Sequence, residues 1–160
     1  MTHAAVITVS DSSFQGLRED LSGPAVVAEL QNHGFDVQST HLVADEQKAI
    51  EDALRMLAAE ARLVVTTGGT GIAPRDVTPE AMRAVCCRFL DGIPEVMRAE
   101  GRKETPLAAL SRAVCGTIRT AYGEALVLNL PGSPRGAVTS LRAVMPLIQH
   151  ALEILAGGSH

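Results

Sequence analysis

The chain has 160 residues, of which 46% are hydrophobic and 20% are charged, and its formal net charge is −4 at pH 7. This composition excludes a disordered chain, because the apolar side chains can bury enough surface to offset the entropy of ordering. Aromatic residues make up only 2%, whereas single-strand nucleic-acid binding needs aromatic platforms in a basic groove. We therefore expect no nucleic-acid partner, and a core of small and aliphatic side chains.

Several features predict a single cytoplasmic domain. The first apolar run, Ala4–Val9, has no basic segment before it and is too short for a signal peptide. No stretch approaches the roughly 18 apolar residues that a membrane span needs. No repeat or linker divides the sequence, so residues 1–160 are expected to form one domain.

The cysteine and histidine residues indicate neither a disulfide framework nor a zinc site. Cys86 and Cys87 are adjacent and Cys115 stands alone, without a C-x-x-C pair. The 5 His residues are scattered, without the spacing typical of zinc ligands. We expect the three cysteines to be buried, reduced thiols.

The first part of the chain alternates predicted strands and helices. Ala4–Val9 is short, apolar and β-branched, as expected of a buried strand. The polar segment Ser10–Gly23 is predicted to be a loop, and Pro24 to be the first residue of a helix that continues through Ala25–His33. Phe35–Val43 alternates in hydropathy and is the second strand candidate.

The middle of the chain continues this alternation. A further helix is predicted after Asp45, which is in position to cap it. Its apolar face comprises Ile50, Ala53, Leu54, Leu57, Ala58 and Ala61. Leu63–Thr67 is predicted to be a strand, Thr78 to cap a helix whose first residue is Pro79, and Ile93–Arg102 to form a shorter helix.

The last elements complete an α/β pattern. Ala125–Leu130 is predicted to be a further strand, and a long helix follows from Ser133. Strands that alternate with helices favour βαβ units. The predicted fold is therefore a three-layer α/β/α fold around a mostly parallel central sheet.

Polar or glycine-rich segments follow four of the predicted strands. They are Ser10–Ser12, Ala44–Glu46, Gly68–Gly71 and Pro131–Pro134. Ligands of parallel sheets bind outside the carboxyl ends of the strands, and the last segment adds a helix N-terminus and the Ser133 hydroxyl, which favour an anion. Each segment alone is also compatible with a turn or a helix cap, but four together favour a binding site.

The Gly68–Gly71 segment has the composition of a loop that binds an anion through its backbone. Its glycines let N–H groups approach the anion closely. It matches neither the dinucleotide-binding G-x-G-x-x-G motif nor the P-loop. Arg75 and Asp76 follow it, and a carboxylate combined with backbone amides and a guanidinium suits Mg²⁺ and phosphate groups.

Blocks along nearly the whole chain resemble the MoaB/Mog family, the molybdopterin adenylyltransferases. The most specific block is TTGGTGIAPRDVTPEA at Thr66–Ala81, in which RDVTP follows GGTG. The others occur in the family's order and are VITVSD, DLSGP, VADEQ, TPLAALSRA and NLPGSP. The resemblance implies an α/β fold and a homotrimer, or a dimer of such trimers. It also implies a reaction of molybdopterin with ATP and Mg²⁺ that gives adenylylated molybdopterin and pyrophosphate, with a molybdenum-insertion protein as a further partner.

The same resemblance implies roles for individual residues. Asp45 and Asp76 match the acidic positions associated with catalysis and Mg²⁺ binding. The positions that match nucleotide- and phosphate-binding segments are Ser10, Asp11, Ser12, Gly68, Gly69, Thr70 and Gly71. Those that match the molybdopterin side are Ser111, Arg112, Asn129, Pro131, Gly132 and Ser133.

The chain departs from the family pattern at two positions. Arg135 stands where Lys commonly follows NLPGSP, and Thr139 lies near a position at which many relatives have Glu. Two other functions stay open at this point, a non-catalytic molybdopterin-binding or scaffold protein and a CinA-like nucleotide hydrolase. Because aromatics are scarce, we expect the site to recognise its ligand by hydrogen bonds and charge more than by stacking.

Overall fold

The computed structural model describes residues 1–159 and confirms an α/β fold with a six-stranded central sheet. The strands are β1 (His3–Val9), β2 (Asp36–Val43), β3 (Leu63–Thr67), β4 (Arg88–Phe89), β5 (Cys115–Thr120) and β6 (Gly123–Leu130). The helices are α1 (Asp11–Phe14), α2 (Ser22–Asn32), α3 (Gln47–Ala58), α4 (Thr78–Val85), α5 (Gly92–Gly101) and α6 (Pro134–Leu155), with a 3₁₀ helix at Pro106–Leu110.

The sheet is mostly parallel, as predicted. Its strand order is β2-β1-β3-β6-β5-β4. The first four strands in this order are parallel, whereas β5 is antiparallel to β6 and β4 is antiparallel to β5. The carboxyl ends of β2, β1, β3 and β6 therefore lie at one edge, and the loops that follow them are brought together there.

Helices cover both faces of the sheet and create two apolar cores. Successive residues of a strand point to opposite faces, so Val6 and Ile7 belong to different cores. One core includes residues of α2, α5 and α6, and the other includes residues of α3 and α4. No helix within residues 1–159 combines the length and the apolar character needed to cross a membrane.

The prediction of a loop from Ser10 to Gly23 is wrong in two respects. The segment contains α1, because Ser10 Oγ accepts a hydrogen bond from Ser13 N at 3.2 Å and caps that short helix. In addition, α2 begins at Ser22, so that Pro24 is its third residue and not its first. The start of α2 is fixed by Asp20, whose carboxylate accepts a hydrogen bond from Gly23 N at 2.9 Å.

The predicted helix caps at Asp45 and Thr78 are also wrong. α3 begins at Gln47, after Glu46 and without a side-chain cap, while Asp45 interacts with Asp11 instead. Thr78 is the first residue of α4, and its hydroxyl donates to the carbonyl of Gly68 at 3.0 Å. Asp45 bonds to a residue 34 positions away, and Thr78 bonds to the start of the loop that leads into α4, and these partners compete with the helix ends.

Cys115–Glu124, which is longer than the compact turn of the family pattern, forms β5 and the first residues of β6, and these strands make a β-hairpin. β5 pairs with β6 from Cys115↔Leu128 to Thr120↔Gly123. At its tip, the hydroxyl of Thr120 accepts a hydrogen bond from Tyr122 N at 3.1 Å and donates to the carbonyl of Gly123 at 2.8 Å. The sequence prediction missed β5 because its residues are partly polar.

The three cysteines are free thiols in different environments. Cys115 is buried and Cys86 is partly buried. Burial, and to a lesser extent the nearby thiol of another cysteine, raises the pKa of both to about 12. Cys87 is exposed, and its thiol donates to Glu124 Oε1 at 3.2 Å. The expectation that all three are buried is therefore wrong for Cys87, which lies just before the edge strand β4.

An ion pair between a buried carboxylate and an exposed guanidinium joins α2 to α6. Glu29 is 5% exposed, and its carboxylate accepts hydrogen bonds from Arg142 Nε at 2.8 Å and Nη2 at 3.1 Å. His33 Nε2 lies 3.1 Å from the same carboxylate. The Arg142 hydrogen bond, more than any other contact, holds the pKa of Glu29 below its ordinary value, against the opposing effect of burial.

We predict that Arg142→Ala lowers the free energy of unfolding by about 2 kcal/mol, because it leaves a buried carboxylate without its main donor. Since the pKa of Glu29 is lowered on folding, the stabilisation is complete above the unfolded pKa, near 4.5, and is lost as the pH falls through the folded value. Urea denaturation should show this difference in the free energy of unfolding between the variant and the wild type at neutral pH, and a smaller difference at acidic pH. Lys48→Ala, which removes the exposed pair with Asp52, should change stability by less than about 0.5 kcal/mol. Equal losses for both variants would contradict the assignment.

Candidate active site

Two clefts open at the edge where the parallel strands end. The first, called here the acidic cleft, has a volume of about 400 Å³, and its lining includes Glu19, Asp20, Asp45 and Asp76. The second, called the apolar cleft, has a volume of about 350 Å³ and is lined in part by Met97, Leu107 and Leu110. Gly132 and Ser133 line both clefts. The loop after β6 therefore lies between the two clefts and forms a wall that they share.

The glycine loop after β3 contributes to both clefts. Gly68 and Gly69 line the acidic cleft, and Thr70 and Gly71 line the apolar cleft. Gly68 has φ = +101°, and a Cβ atom there would lie 2.2 Å from the carbonyl oxygen of Val9. Gly69 also has positive φ, at +70°. Only glycine permits this path of the chain between the ends of β1 and β3.

Asp45 is held by a reciprocal pair of hydrogen bonds with Asp11. The amide of Asp11 donates to Asp45 Oδ2 at 2.8 Å, and the amide of Asp45 donates to Asp11 Oδ1 at 2.9 Å. The Arg75 guanidinium donates two hydrogen bonds to the Asp11 carboxylate, from Nε to Oδ2 at 2.8 Å and from Nη2 to Oδ1 at 2.9 Å. This contact is the main reason that the pKa of Asp11 is lowered. Asp11 does not line either cleft, and its carboxylate holds Asp45 in position.

Asp45 and Asp76 lie on either side of the glycine loop. An added Cβ on Gly69 would lie 3.3 Å from Asp45 Oδ1, and one on Gly71 would lie 2.8 Å from Asp76 Oδ2. Burial is the largest cause that raises the pKa of Asp45, and the negative charges of Asp11 and Asp76 raise it further. Asp76 Oδ2 accepts a hydrogen bond from Ala73 N at 3.0 Å. The two carboxylates are therefore near neighbours on one wall of the acidic cleft.

The donor set fits Mg²⁺ in a complex with a phosphate. Mg²⁺ is usually held by one or two carboxylates, with water and phosphate oxygens as its other ligands. Asp45 Oδ1 and Asp76 Oδ1 make no hydrogen bond with any residue in 1–159. In the same part of the chain, no three His, Cys, Asp or Glu residues form a group that could hold a metal ion by themselves. Asp45 and Asp76 are thus suited to a metal ion that arrives with its phosphate ligand.

Arg112 fixes the conformation of the loop between β3 and α4. Its guanidinium donates to the carbonyls of Gly71 and Asp76, each at 2.8 Å, and to Glu80 Oε2 at 2.8 Å. Its amide also donates to the carbonyl of Thr70 at 2.8 Å. Protein groups accept hydrogen bonds from all three guanidinium nitrogens, so Arg112 holds this loop in position.

Asn129 is likewise a positioning residue. It is 0% exposed, with Oδ1 accepting from Val114 N at 3.1 Å and Nδ2 donating to Thr66 Oγ1 at 3.0 Å. Its side chain therefore joins the end of β6 to β3 and to the residue before β5. Pro131, Gly132, Ser133 and Ser111, by contrast, line the apolar cleft as expected of ligand-contacting residues.

The remaining predicted residues lie at the start of α1. Ser10 lines the acidic cleft, whereas Ser12 does not and instead lies with its hydroxyl oxygen 3.3 Å from that of Ser10. Asp20 and Arg18, for which no role is predicted from the sequence, also line this cleft. Asp20 accepts hydrogen bonds from Thr8 Oγ1 and Gly23 N, and its place in the DLSGP block was the available signal. Nothing in the sequence marked Arg18.

Comparison with known proteins identifies the family. The model of a family described as a probable molybdopterin binding domain matches residues 5–150. The chain belongs to this family. The predicted membership and fold are thereby confirmed.

Individual members of this molybdopterin-binding family resemble the chain over most of its length. The molybdopterin adenylyltransferase of Helicobacter pylori strain J99 is 41% identical over 159 residues, covering 97% of this chain and 88% of that protein. The molybdopterin adenylyltransferase of Escherichia coli K12 is 41% identical over 144 residues, which cover 87% of this chain and 71% of that protein. The crystal structure of the molybdopterin biosynthesis enzyme MoaB from Thermus thermophilus has a TM-score of 0.89 at 45% identity and covers 98% of both chains.

We predict that Gly68→Ala lowers the free energy of unfolding by about 3 kcal/mol or more, since a Cβ collides with the Val9 carbonyl at a strained φ. Gly92→Ala is the matched control, because its Cβ meets open space at the start of α5, and it should be neutral within about 0.5 kcal/mol. Urea denaturation of both variants measures the effect. A neutral Gly68→Ala would show that the close contact with β1 does not exist.

Proposed function

We propose that the chain is a molybdopterin adenylyltransferase, which transfers the adenylyl group of ATP to the phosphate of molybdopterin and releases pyrophosphate. The observation that carries this proposal is the convergence of Asp45 and Asp76 on the glycine loop, where the two clefts meet. The relatives from Helicobacter pylori and Escherichia coli are named molybdopterin adenylyltransferase, which supports the proposal.

In this proposal the acidic cleft binds the nucleotide and the apolar cleft binds the pterin. The shared wall, Gly132 and Ser133, then lies beside the bond that forms between the two substrates. Within residues 1–159, no aromatic side chain lines either cleft. Recognition by hydrogen bonds and charge, with little stacking, is consistent with this lining.

In this proposal, the residues of the site hold charged groups in position, and none of them has to transfer a proton. The nucleophile is an oxygen of the molybdopterin phosphate, which is already anionic near neutral pH, so the reaction needs no general base. In this proposal, backbone N–H groups of Gly69–Gly71 receive phosphate oxygens, and Ser133 lies at the N-terminus of α6, where an anion is favoured. Arg18 is the one cationic side chain that lines the acidic cleft among the described residues, and it offsets phosphate charge.

Asp45 and Asp76 would hold Mg²⁺ through their free oxygens. When bound, this ion supplies neutralisation of the charge that develops on the phosphate oxygens. Asp11 and Arg75 keep Asp45 in place, and Arg112 keeps the backbone of Asp76 in place. The binding energy of both substrates is then used to align the phosphate oxygen with the α-phosphate of ATP.

We further propose that residues 1–160 act as one cytoplasmic domain that assembles as a homotrimer and supplies its product to a molybdenum-insertion protein. The resemblance to MoaB/Mog proteins supports this assembly and partner.

We predict that Asp76→Asn reduces the formation of adenylylated molybdopterin by about 100-fold or more, because it removes a charged ligand of the metal at the reacting phosphate. Binding of molybdopterin should be retained. Mass spectrometry of the product, after incubation with molybdopterin, ATP and Mg²⁺, measures the rate. Asp52→Asn is the control, because Asp52 is exposed and pairs with Lys48 on the surface of α3.

Each outcome of this experiment is informative. Turnover of Asp76→Asn at the wild-type rate would show that Asp76 has no catalytic role. A wild-type protein that binds molybdopterin without forming product would be a non-catalytic member of the family. Hydrolysis of ATP in the absence of molybdopterin would instead support the alternative function, a CinA-like nucleotide hydrolase.

A further inference from the structure

The apolar cleft contains one acidic side chain among the residues described. This is Glu104, which lies between α5 and the 3₁₀ helix and shares the cleft with Met97, Leu107 and Leu110. Its side chain is 38% exposed. A carboxylate in a largely apolar cleft is a strong hydrogen-bond acceptor whose position determines which ligands fit.

Two residues of α6 orient this carboxylate. Arg135 Nε lies 3.4 Å from Glu104 Oε2, and the Thr139 hydroxyl lies 3.5 Å from Oε1. These are the two positions at which the sequence departs from the family pattern. The cleft also contains the guanidinium of Arg98, which donates to the carbonyl of Ser111 at 3.4 Å. It thus presents an acceptor and a donor to the same ligand.

On the basis of the proposed function, we propose that Glu104 determines specificity by recognising the donor edge of the pterin ring. In a 2-amino-4-oxo pteridine, the ring N3–H and the 2-amino group are adjacent donors that point in the same direction. The two oxygens of a carboxylate accept from such a pair in a bidentate arrangement. Arg98 supplies a donor suited to the neighbouring 4-oxo group.

The charge of Glu104 also orients the substrate. A carboxylate repels the phosphate of molybdopterin, so this phosphate is directed away from Glu104 and toward the backbone amides of Thr70 and Gly71, which line the same cleft. The ring is then held by Glu104, and the nucleophilic oxygen faces the acidic cleft. Glu104 binds the ring and takes no part in the transfer step.

The test uses two fluorescent probes, a 2-amino-4-oxopteridine and the corresponding 2,4-dioxopteridine, in which an acceptor replaces the amino donor. Anisotropy titrations should show that the wild-type protein binds the amino compound about tenfold more tightly, as expected for a charge-assisted pair of hydrogen bonds. Glu104→Gln should lose this preference, because the amide offers one acceptor and adds a donor. Affinity for MgATP should not change.

Glu100→Gln is the matched control. Glu100 has a similar exposure of 40%, is paired with Lys103 at 2.9 Å and does not line the cleft. This variant should keep the wild-type preference. A Glu104→Gln protein that retains the preference, or a wild-type protein that shows none, would overturn the inference. Failure of the proposed function is seen separately, as the absence of adenylylated product from the wild-type protein with molybdopterin and MgATP.

Discussion

The candidate active site depends on one carboxylate that does not face either cleft. Asp11 joins the loops that follow β1, β2 and β3, because its side chain accepts hydrogen bonds from the amide of Asp45 and from the guanidinium of Arg75. Arg75 is adjacent in sequence to Asp76. The placement of both acidic residues of the proposed metal site is therefore linked to this single side chain, and not to the sheet alone.

The glycine loop adds a second constraint of the same kind. Gly68 passes so close to the end of β1 that no side chain is possible, and Thr67 Oγ1 donates to the carbonyl of Pro131 at 2.6 Å. These contacts join the loops after β1, β3 and β6 at the boundary between the two clefts. A rigid boundary is required if two substrates in separate clefts are to react with each other.

The sequence was sufficient for the parts of the fold that depend on local pattern. The ends of β1, β3 and β6 at Val9, Thr67 and Leu130 are as predicted, because an apolar run stops there and a polar or glycine-rich loop begins. The roles of Asp45, Thr78, Arg112 and Asn129 could not be obtained in this way. The hydrogen-bond partners of these side chains lie 10 or more residues away in the sequence, so their roles depend on distances that only the folded chain defines. Glu104 was missed because nothing in its local sequence indicates a cleft.

The central claim is that Asp45, Asp76 and the glycine loop form one site for Mg²⁺ and phosphate. A crystal structure of the protein with Mg²⁺ and an α,β-methylene analogue of ATP tests it most directly. We expect the triphosphate in the acidic cleft, a phosphate oxygen on the amide of Gly69, and Mg²⁺ about 2.1 Å from an oxygen of Asp76 or Asp45. A triphosphate bound elsewhere, or a Mg²⁺ ion with neither carboxylate near it, would contradict the claim.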